Sequence, residues 1–186
     1  MTGHHPLREA PRDLSEIAEQ EERLVLPHFT ADDALDIGLS IRNRLRALSH
    51  LAAVVSISLA NSSNLLFHAV SRPGVQPDND IWVSRKRKTV LRWGVSTWFM
   101  HNKFKGDEEA FARKYMLGGE VGGTFAIHGG GVPVRVKGVE GVVGVVVVSG
   151  LKQDQDHMVV IEALEEFVKQ CGKEAERKGQ GGEEAR

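Results

Sequence analysis

The four consecutive cations of residues 85–88 are the part of this sequence best suited to bind an anion. They follow an acidic run, residues 78–80, whose side chains can accept hydrogen bonds from the first turn of a helix. Successive helical residues lie about 100° apart, so the four cations cannot share one exposed face. The sequence therefore predicts a helix that begins near residue 78, ends near Gly94 and brings at least one cation against covered surface.

One stripe of this predicted helix combines a cation with aromatic side chains: it comprises Trp82, Lys86, Thr89 and Trp93. A cation on that stripe lies beside aromatic or apolar surface, and its charge is directed at an anion, a carbonyl group or a neighbouring subunit. The alternative is a half-buried helix whose lysine and arginine side chains extend to water. Both interpretations stay open at the level of sequence.

The overall charge argues against bulk binding of nucleic acid. The 186-residue chain has 24 Lys and Arg against 25 Asp and Glu, a formal net charge of −1, whereas nucleic-acid-binding domains usually present a basic surface. Between Arg72 and Arg92, however, six cations outnumber two carboxylates. We therefore expect no nucleic-acid partner, but an anionic ligand could be attracted to this segment.

Neither a membrane span nor a secretory signal is predicted. No apolar run approaches the roughly 20 residues that a transmembrane helix needs, and residues 1–14 lack a hydrophobic segment. The single cysteine, Cys171, excludes an intrachain disulfide and a multi-cysteine metal site. We expect a cytoplasmic protein.

Common catalytic motifs are missing from the sequence. It contains no P-loop, and Ser149 lacks the G-x-S-x-G surroundings of a hydrolase nucleophile. The aspartates at two predicted helix starts, residues 78–80 and 154–156, are explained by helix capping. No H-x-x-x-H, H-E-x-x-H or Cys–His spacing occurs, so we predict no metal site, and the sequence leaves any catalytic residues unassigned.

Periodicity and turn residues predict the elements that position these groups. Helices are expected over residues 14–26, from a near capping box at 30–33, over 78–93, over 106–116 and over 154–170. Strands are expected over residues 52–59, 65–70, 124–128, 132–136 and 142–148, with hairpin turns at 61–64 and 138–141. Three glycines, residues 129–131, let the backbone bend where a side chain would clash.

These elements predict one α+β domain with a five-stranded antiparallel sheet flanked by helices. The domain is expected to occupy residues 14–171, between a disordered N-terminus (residues 1–13) and a polar, mobile tail (residues 172–186). Residues 142–148 are apolar on both faces, which is typical of a central strand or of a strand covered by another chain.

Four motifs of the sequence are specific when taken together. They are Asp78, Asn79 and Asp80 with Trp82, Arg85, Lys86, Lys88 and Thr89; residues 126–130; residues 149–151; and residues 155–157. Over about residues 28–170 the chain resembles a small fungal and bacterial family grouped with the haem-degrading-domain proteins, which include HbpS-like and GlcG-like proteins.

The resemblance implies a profilin-like fold, self-assembly into dimers or larger closed oligomers, and a role in binding haem or another small ligand. Among the eight histidines it singles out two. A single imidazole can ligate haem iron, and basic side chains can pair with its propionates. The alternative for each histidine is a hydrogen bond within the fold or at an interface. The predicted ligand-binding residues are Asp80, Trp82, Arg85, Lys86, Lys88, His128 and His157.

Three functions are compatible with these expectations. The first is a non-catalytic, oligomeric, cytosolic binding protein that holds haem or another anionic ligand beside the basic helix. The second is an adaptor, because yeast members of the family are linked to the delivery of tail-anchored membrane proteins through a TPR co-chaperone. TPR pockets commonly hold an acidic C-terminal peptide, and this chain ends in Gly-Glu-Glu-Ala-Arg. The third is a haem-degrading enzyme that uses an external reductant.

Overall fold

The structure is a computed structural model that describes residues 5–48 and 50–181. Its elements follow the chain in this order: α1 (Leu14–Glu22), β1 (Val25–Leu26), α2 (Ala31–Leu48), β2 (Val54–Leu59), β3 (Leu65–Val70), α3 (Asp78–Trp93), α4 (Thr97–Lys103), α5 (Glu108–Lys114), α6 (Gly119–Gly122), β4 (Gly131–Val136), β5 (Gly144–Ser149) and α7 (Gln153–Gly181).

The five strands form one mixed sheet in the order β1-β4-β5-β2-β3. The two predicted hairpins, β2–β3 and β4–β5, are confirmed as antiparallel pairs, and β5 also runs antiparallel to β2. β1, however, runs parallel to β4, with Leu26 opposite Val136. The prediction of a purely antiparallel sheet is therefore wrong. Strands joined by a tight turn must be antiparallel, but most of the domain separates β1 from β4, so either direction is open to β1.

The fifth strand is not where the sequence predicts it. Residues 124–128 form no strand, because their backbone bonds to side chains of α3. The Thr89 hydroxyl donates to the Ala126 carbonyl oxygen at 2.8 Å and accepts from the Ala126 N–H at 3.1 Å, and Arg85 Nε donates to the Phe125 carbonyl oxygen at 3.0 Å. These bonds satisfy groups that a strand ladder would otherwise use. β1, predicted as the end of a helix, supplies the fifth strand instead.

Helices cover both faces of the sheet, with α2 and α7 on one face and α3 on the other. Side chains of β5 alternate between the two sides. Val146 and Val148 point into the main core, whereas Val145 and Val147 point into a second core beneath α3. The apolar pattern of this strand is therefore explained by a central position within its own chain.

A third apolar cluster fixes the loop that precedes β4. It is built by α4 and α5 with the segments around them, and Trp93 at the end of α3 packs edge-on against Phe111 and Phe125. Because this cluster also holds Ile127, the loop after α6 is pinned against α3. The buried members are Met100, Phe111, Leu117, Phe125 and Ile127.

Both ends of the domain continue past the predicted limits. Within the N-terminal segment that the sequence predicts to be disordered, the Pro11 carbonyl oxygen accepts from Trp98 Nε1 at 2.6 Å. At the other end, α7 runs on to Gly181. Residues 1–4 and 182–186 of the predicted mobile ends lie outside the described residues. Among the described residues, no helix combines the length and the apolar character needed to cross a membrane.

Candidate functional site

A cleft of about 340 Å³ lies between α3 and the loops that precede β4 and follow β5. We call it the α3 cleft. Its volume is near the lower end of the range for small-molecule sites. Residues of all four sequence motifs line it, although they span positions 79–156 of the chain. The lining residues are Asn79, Trp82, Lys86, His128, Ser149, Gly150, Leu151, Gln153 and Asp156.

The floor of the α3 cleft is a buried ion pair. Lys86 Nζ lies 3.1 Å from Asp156 Oδ2 and donates to the Val148 carbonyl oxygen at 2.9 Å, and both charged side chains are only 3% exposed. Asp156 also accepts from the backbone N–H groups of Leu151 at 3.0 Å and Gly150 at 3.3 Å. A buried charge is tolerated when it is paired and hydrogen-bonded. The pair therefore ties α3 to α7 and holds the loop after β5.

Burial shifts the pKa of each partner towards its neutral form. It lowers the pKa of Lys86, while the Asp156 carboxylate acts in the opposite direction. It raises the pKa of Asp156, while Lys86 and the backbone N–H groups act in the opposite direction. Each group thus depends on the other to remain charged.

The prediction that at least one cation of residues 85–88 lies against covered surface is confirmed, because two of these four side chains do so. Lys86 is enclosed as described above. The Arg85 guanidinium carbon lies 4.4 Å from the centroid of the Trp82 ring, within cation–π distance. Arg87 donates instead to β2, and Lys88 is exposed. The four charges are therefore spread around the helix, as their spacing requires.

Two glycines keep the backbone close to the floor of the α3 cleft. At Gly130, where φ is +117°, a Cβ atom would lie 2.3 Å from the Val148 carbonyl oxygen and 2.9 Å from Lys86 Nζ. At Gly129, a Cβ atom would lie 2.3 Å from the Gln153 carbonyl oxygen. The prediction that this glycine run bends where side chains would clash is confirmed.

One wall of the α3 cleft is formed by Trp82, which contacts three other side chains. Its Nε1 donates to Asp78 Oδ2 at 2.8 Å, and Arg85 lies over the ring. The His128 ring packs edge-on against it, with centroids 4.8 Å apart and an interplanar angle of 69°. These contacts fix the orientation of the indole.

The acidic residues at the start of α3 do not cap it as predicted. Pro77 occupies the N-cap position and has no side-chain acceptor, so the following residues already lie in the first turn. Asp78 accepts from Trp82, Asn79 Oδ1 accepts from the Gln76 N–H at 2.9 Å, and Asp80 is exposed. The predicted end of the helix at Gly94 is confirmed by its left-handed conformation, with φ of 68°.

His128 is the one histidine in the lining of the α3 cleft, and its side chain is 39% exposed. Its Nδ1 lies 3.3 Å from Glu108 Oε1, without the alignment of a hydrogen bond, and has no hydrogen-bond partner among the described residues. Burial lowers the pKa of His128; Glu108 opposes this shift, and the charges of Lys86 and Arg85 reinforce it. The imidazole is therefore neutral at pH 7.

The structure brings four of the seven predicted ligand-binding residues together. Trp82, Lys86 and His128 line the α3 cleft, and Arg85 supports its wall. The other three lie elsewhere. Asp80 and Lys88 line a separate groove of about 430 Å³, and His157 is enclosed in the main core.

His157 is fully buried at the interface of α7 with α1 and α4. Its Nε2 lies 3.3 Å from Gln20 Oε1, and its ring stacks 5.9 Å from Trp98. Burial lowers its pKa from 6.5 to about 3. The residue thus contributes a neutral imidazole to the core.

We expect His157 to make the fold sensitive to acid. The unfolded chain protonates this histidine near pH 6.5, whereas the folded chain resists protonation down to about pH 3, so stability is lost as the pH falls through this interval. When the pH is lowered from 7 to 5, the free energy of unfolding should fall in both proteins. The fall should be about 2 kcal/mol smaller in His157→Gln than in the wild type. Urea unfolding at both pH values measures this difference. Equal losses in His157→Gln and wild type would refute the prediction.

The sequence does not identify two acidic residues, Asp156 and Glu108, as partners of the site's cations. Helix capping explains Asp156 at the level of sequence. However, Asp156 lies three and seven residues before the buried residues Val159 and Ala163, and this helical spacing indicates that its carboxylate points inward. Glu108 gave no such signal, because it lies in the exposed first turn of α5. Only the packing of α5 beside α3 brings it to Arg85 and His128.

A larger cavity of about 570 Å³ lies between residues 5–9, the end of α2 and the start of α7. None of the seven predicted ligand-binding residues lines it, so we take the α3 cleft as the candidate site. Among the described residues, no group of three or more His, Cys, Asp or Glu side chains could hold a metal ion.

Comparison with known proteins identifies relatives of this chain. Residues 29–165 match the family described as "Haem degrading protein HbpS-like". A UPF0303 protein of Streptomyces avermitilis is 42% identical over 159 residues, which cover 85% of this chain and 92% of the relative. The UPF0303 protein YBR137W of Saccharomyces cerevisiae is 35% identical over 83% of each chain.

Solved structures agree in fold. The crystal structure of the Ybr137w protein superposes with a TM-score of 0.78 at 34% identity, covering 86% of this chain and 89% of the other. The crystal structure of HbpS gives a TM-score of 0.56 at 20% identity, covering 74% and 87%, which shows a shared fold. The family match and the identities of 35–42% together show that this chain belongs to the HbpS-like family.

Proposed function

We propose that the protein is an oligomeric binding protein whose α3 cleft holds haem or another flat, anionic small molecule. The observation that carries the proposal is the convergence of an indole, a half-exposed imidazole and a buried ammonium group on one cleft, from Trp82, His128 and Lys86. An aromatic wall suits a flat molecule, and a few placed polar groups give such a pocket its specificity.

The residues of the α3 cleft fit haem. Bound haem would supply an iron atom that takes a ligand from a protein side chain. His128 is neutral and partly exposed, and its Nδ1 faces the Glu108 carboxylate, so its other ring nitrogen could serve as that ligand. His157 does not fit this role, because it is fully buried and its Nε2 contacts Gln20.

We favour binding over turnover because the charged groups at the floor and behind the wall of the α3 cleft are held by bonds within the fold. Lys86 and Asp156 bond to each other and to backbone groups, and Arg85 bonds to the Phe125 carbonyl oxygen. Groups held in this way orient a ligand but do not readily exchange protons with it. The enzyme alternative would be supported by conversion of haemin to an open tetrapyrrole with an external reductant.

Titration of the purified protein with haemin tests the proposal. We expect saturation at one haemin per chain, and His128→Ala should weaken the affinity roughly tenfold or more through the loss of one ligand. His68→Ala, which removes an exposed histidine outside the cleft, is the matched control and should bind as the wild type does. The proposal fails if haemin does not saturate the wild type, and the placement at His128 fails if both variants bind equally well.

Self-association and a partner protein are further parts of the proposal. We propose a closed oligomer, for which light scattering on the same sample should give a mass of at least twice the 20.4 kDa chain.

The TPR co-chaperone remains the proposed partner of the adaptor alternative. The peptide of this chain that would bind in the TPR pocket is its last five residues, which lie outside the described part of the chain.

A further inference from the structure

We propose that the α3 cleft recognises the carboxylate group of a flat ligand through the ammonium group of Lys86. This inference rests on the proposed function. It specifies the ligand group that contacts the floor of the α3 cleft, and it predicts that this group is a carboxylate and not a phosphate.

The first argument is the number of hydrogen-bond donors. An ammonium group has three N–H donors. Two of those on Lys86 are accepted, by the Val148 carbonyl oxygen and by Asp156 Oδ2. No third acceptor occurs among the described residues, although the side chain is only 3% exposed. A buried donor without an acceptor is costly. Because Lys86 lines the α3 cleft, a ligand oxygen there can satisfy its remaining N–H.

The second argument is that the cleft offers no competing carboxylate. Asp156 is the only acidic residue of the described chain in the lining, and both its oxygens already accept hydrogen bonds, from Lys86 and from the backbone N–H groups of Gly150 and Leu151. Another polar lining side chain, Asn79, donates to the Ser149 carbonyl oxygen at 3.4 Å. Lys86 is therefore the cation of the lining that has an N–H left for a ligand.

The third argument separates a carboxylate from a phosphate. Lys86 and Asp156 formally cancel each other's charge, so the floor offers one strong donor without a net positive charge. A dianion bound to Lys86 would approach the nearby Asp156 carboxylate, and at low local dielectric this repulsion is not screened. The Arg85 guanidinium, which could form a bidentate contact, is not among the lining residues of the α3 cleft; its Nε donates to the Phe125 carbonyl oxygen, and another of its nitrogens lies 3.6 Å from Glu108. A single monoanionic group fits this arrangement better.

The fourth argument is the room left around the ammonium group. A side chain at Gly130 would bring a Cβ atom within 2.9 Å of Lys86 Nζ, so glycine keeps this approach open. Beside it stand the Trp82 and His128 rings. The geometry thus suits a carboxylate joined to a flat, unsaturated body that lies along the indole.

The test compares haemin with haemin dimethyl ester, in which both carboxylates are blocked. We expect the wild type to bind haemin roughly tenfold or more tightly than the ester. In Lys86→Met/Asp156→Asn, which removes both buried charges together, the two affinities should be equal. Lys137→Met removes an exposed cation at the end of β4 and should preserve the wild-type preference.

The outcomes distinguish this inference from the proposed function. If the wild type binds both compounds equally, the carboxylate assignment is wrong while the binding function stands. If the double variant keeps the preference, Lys86 is not the recognising group. If the wild type binds neither compound, the proposed function and this inference fail together. Millimolar inorganic phosphate should not displace haemin, and displacement would overturn the preference for a carboxylate. If the double variant does not fold, equal binding of the two compounds by the wild type still overturns the inference.

Discussion

Lys86→Met is expected to destabilise the fold by about 3–5 kcal/mol, the range for breaking a buried ion pair. The methionine fills a similar volume, but it leaves the Asp156 carboxylate enclosed without its cation. Protonation of Asp156 relieves part of this cost, because burial already raises the pKa of its carboxyl group. The free energy of unfolding in urea at pH 7 measures the loss.

The double variant Lys86→Met/Asp156→Asn separates the ion pair from simple packing. It leaves no uncompensated charge, and the asparagine oxygen can still accept from the Leu151 N–H, so we expect it to regain much of the lost stability. Lys137→Met, an exposed counterpart, should change stability by less than about 0.5 kcal/mol. A Lys86→Met variant as stable as this control would show that the pair does not hold α3 to α7.

Gly130→Ala is expected to cost roughly 3–5 kcal/mol. The backbone at Gly130 has φ of +117°, a conformation that costs other residues about 1–3 kcal/mol. Its new Cβ atom would also lie 2.3 Å from the Val148 carbonyl oxygen, which belongs to the central strand and cannot move aside cheaply. Thermal and urea unfolding should both show the loss, and the α3 cleft should bind haemin more weakly.

Gly138→Ala distinguishes backbone strain from steric clash. Gly138 also has a positive φ, +76°, but no atom of the described residues lies within 4 Å of the position that a Cβ atom would take. Its substitution should therefore cost only the strain, about 1–2 kcal/mol. If the two alanine variants were equally destabilised, the clash with Val148 would not be responsible.

The pattern of the basic helix could be predicted from the sequence because it is local. A rotation of about 100° per residue places Lys86 on the stripe with Trp82 and distributes its three neighbouring cations around the helix. The helix end at Gly94 and the bend at the glycine run follow equally from local backbone geometry. These predictions depend on residues only a few positions apart.

The strands show where local patterns stop being informative. Residues 124–128 are apolar enough for a strand. Their backbone groups, however, are hydrogen-bonded to the hydroxyl of Thr89 and the guanidinium of Arg85 instead of to a neighbouring strand. The two residues of β1 are too few to give an alternating pattern, and their pairing with β4 is set across more than 100 residues. The predicted number of five strands is confirmed, but the fifth strand is β1 and not residues 124–128.

By itself the sequence determined the α+β class, most helices, both hairpins, the central position of the valine strand and the family. Only the tertiary structure decided that Lys86 meets Asp156, 70 residues away, that Glu108 lies beside His128, and that His157 faces the core. The physical reason is the range of the interactions. Helix and turn preferences act within one or two turns of the chain, whereas a buried charge finds its partner through the packing of whole elements.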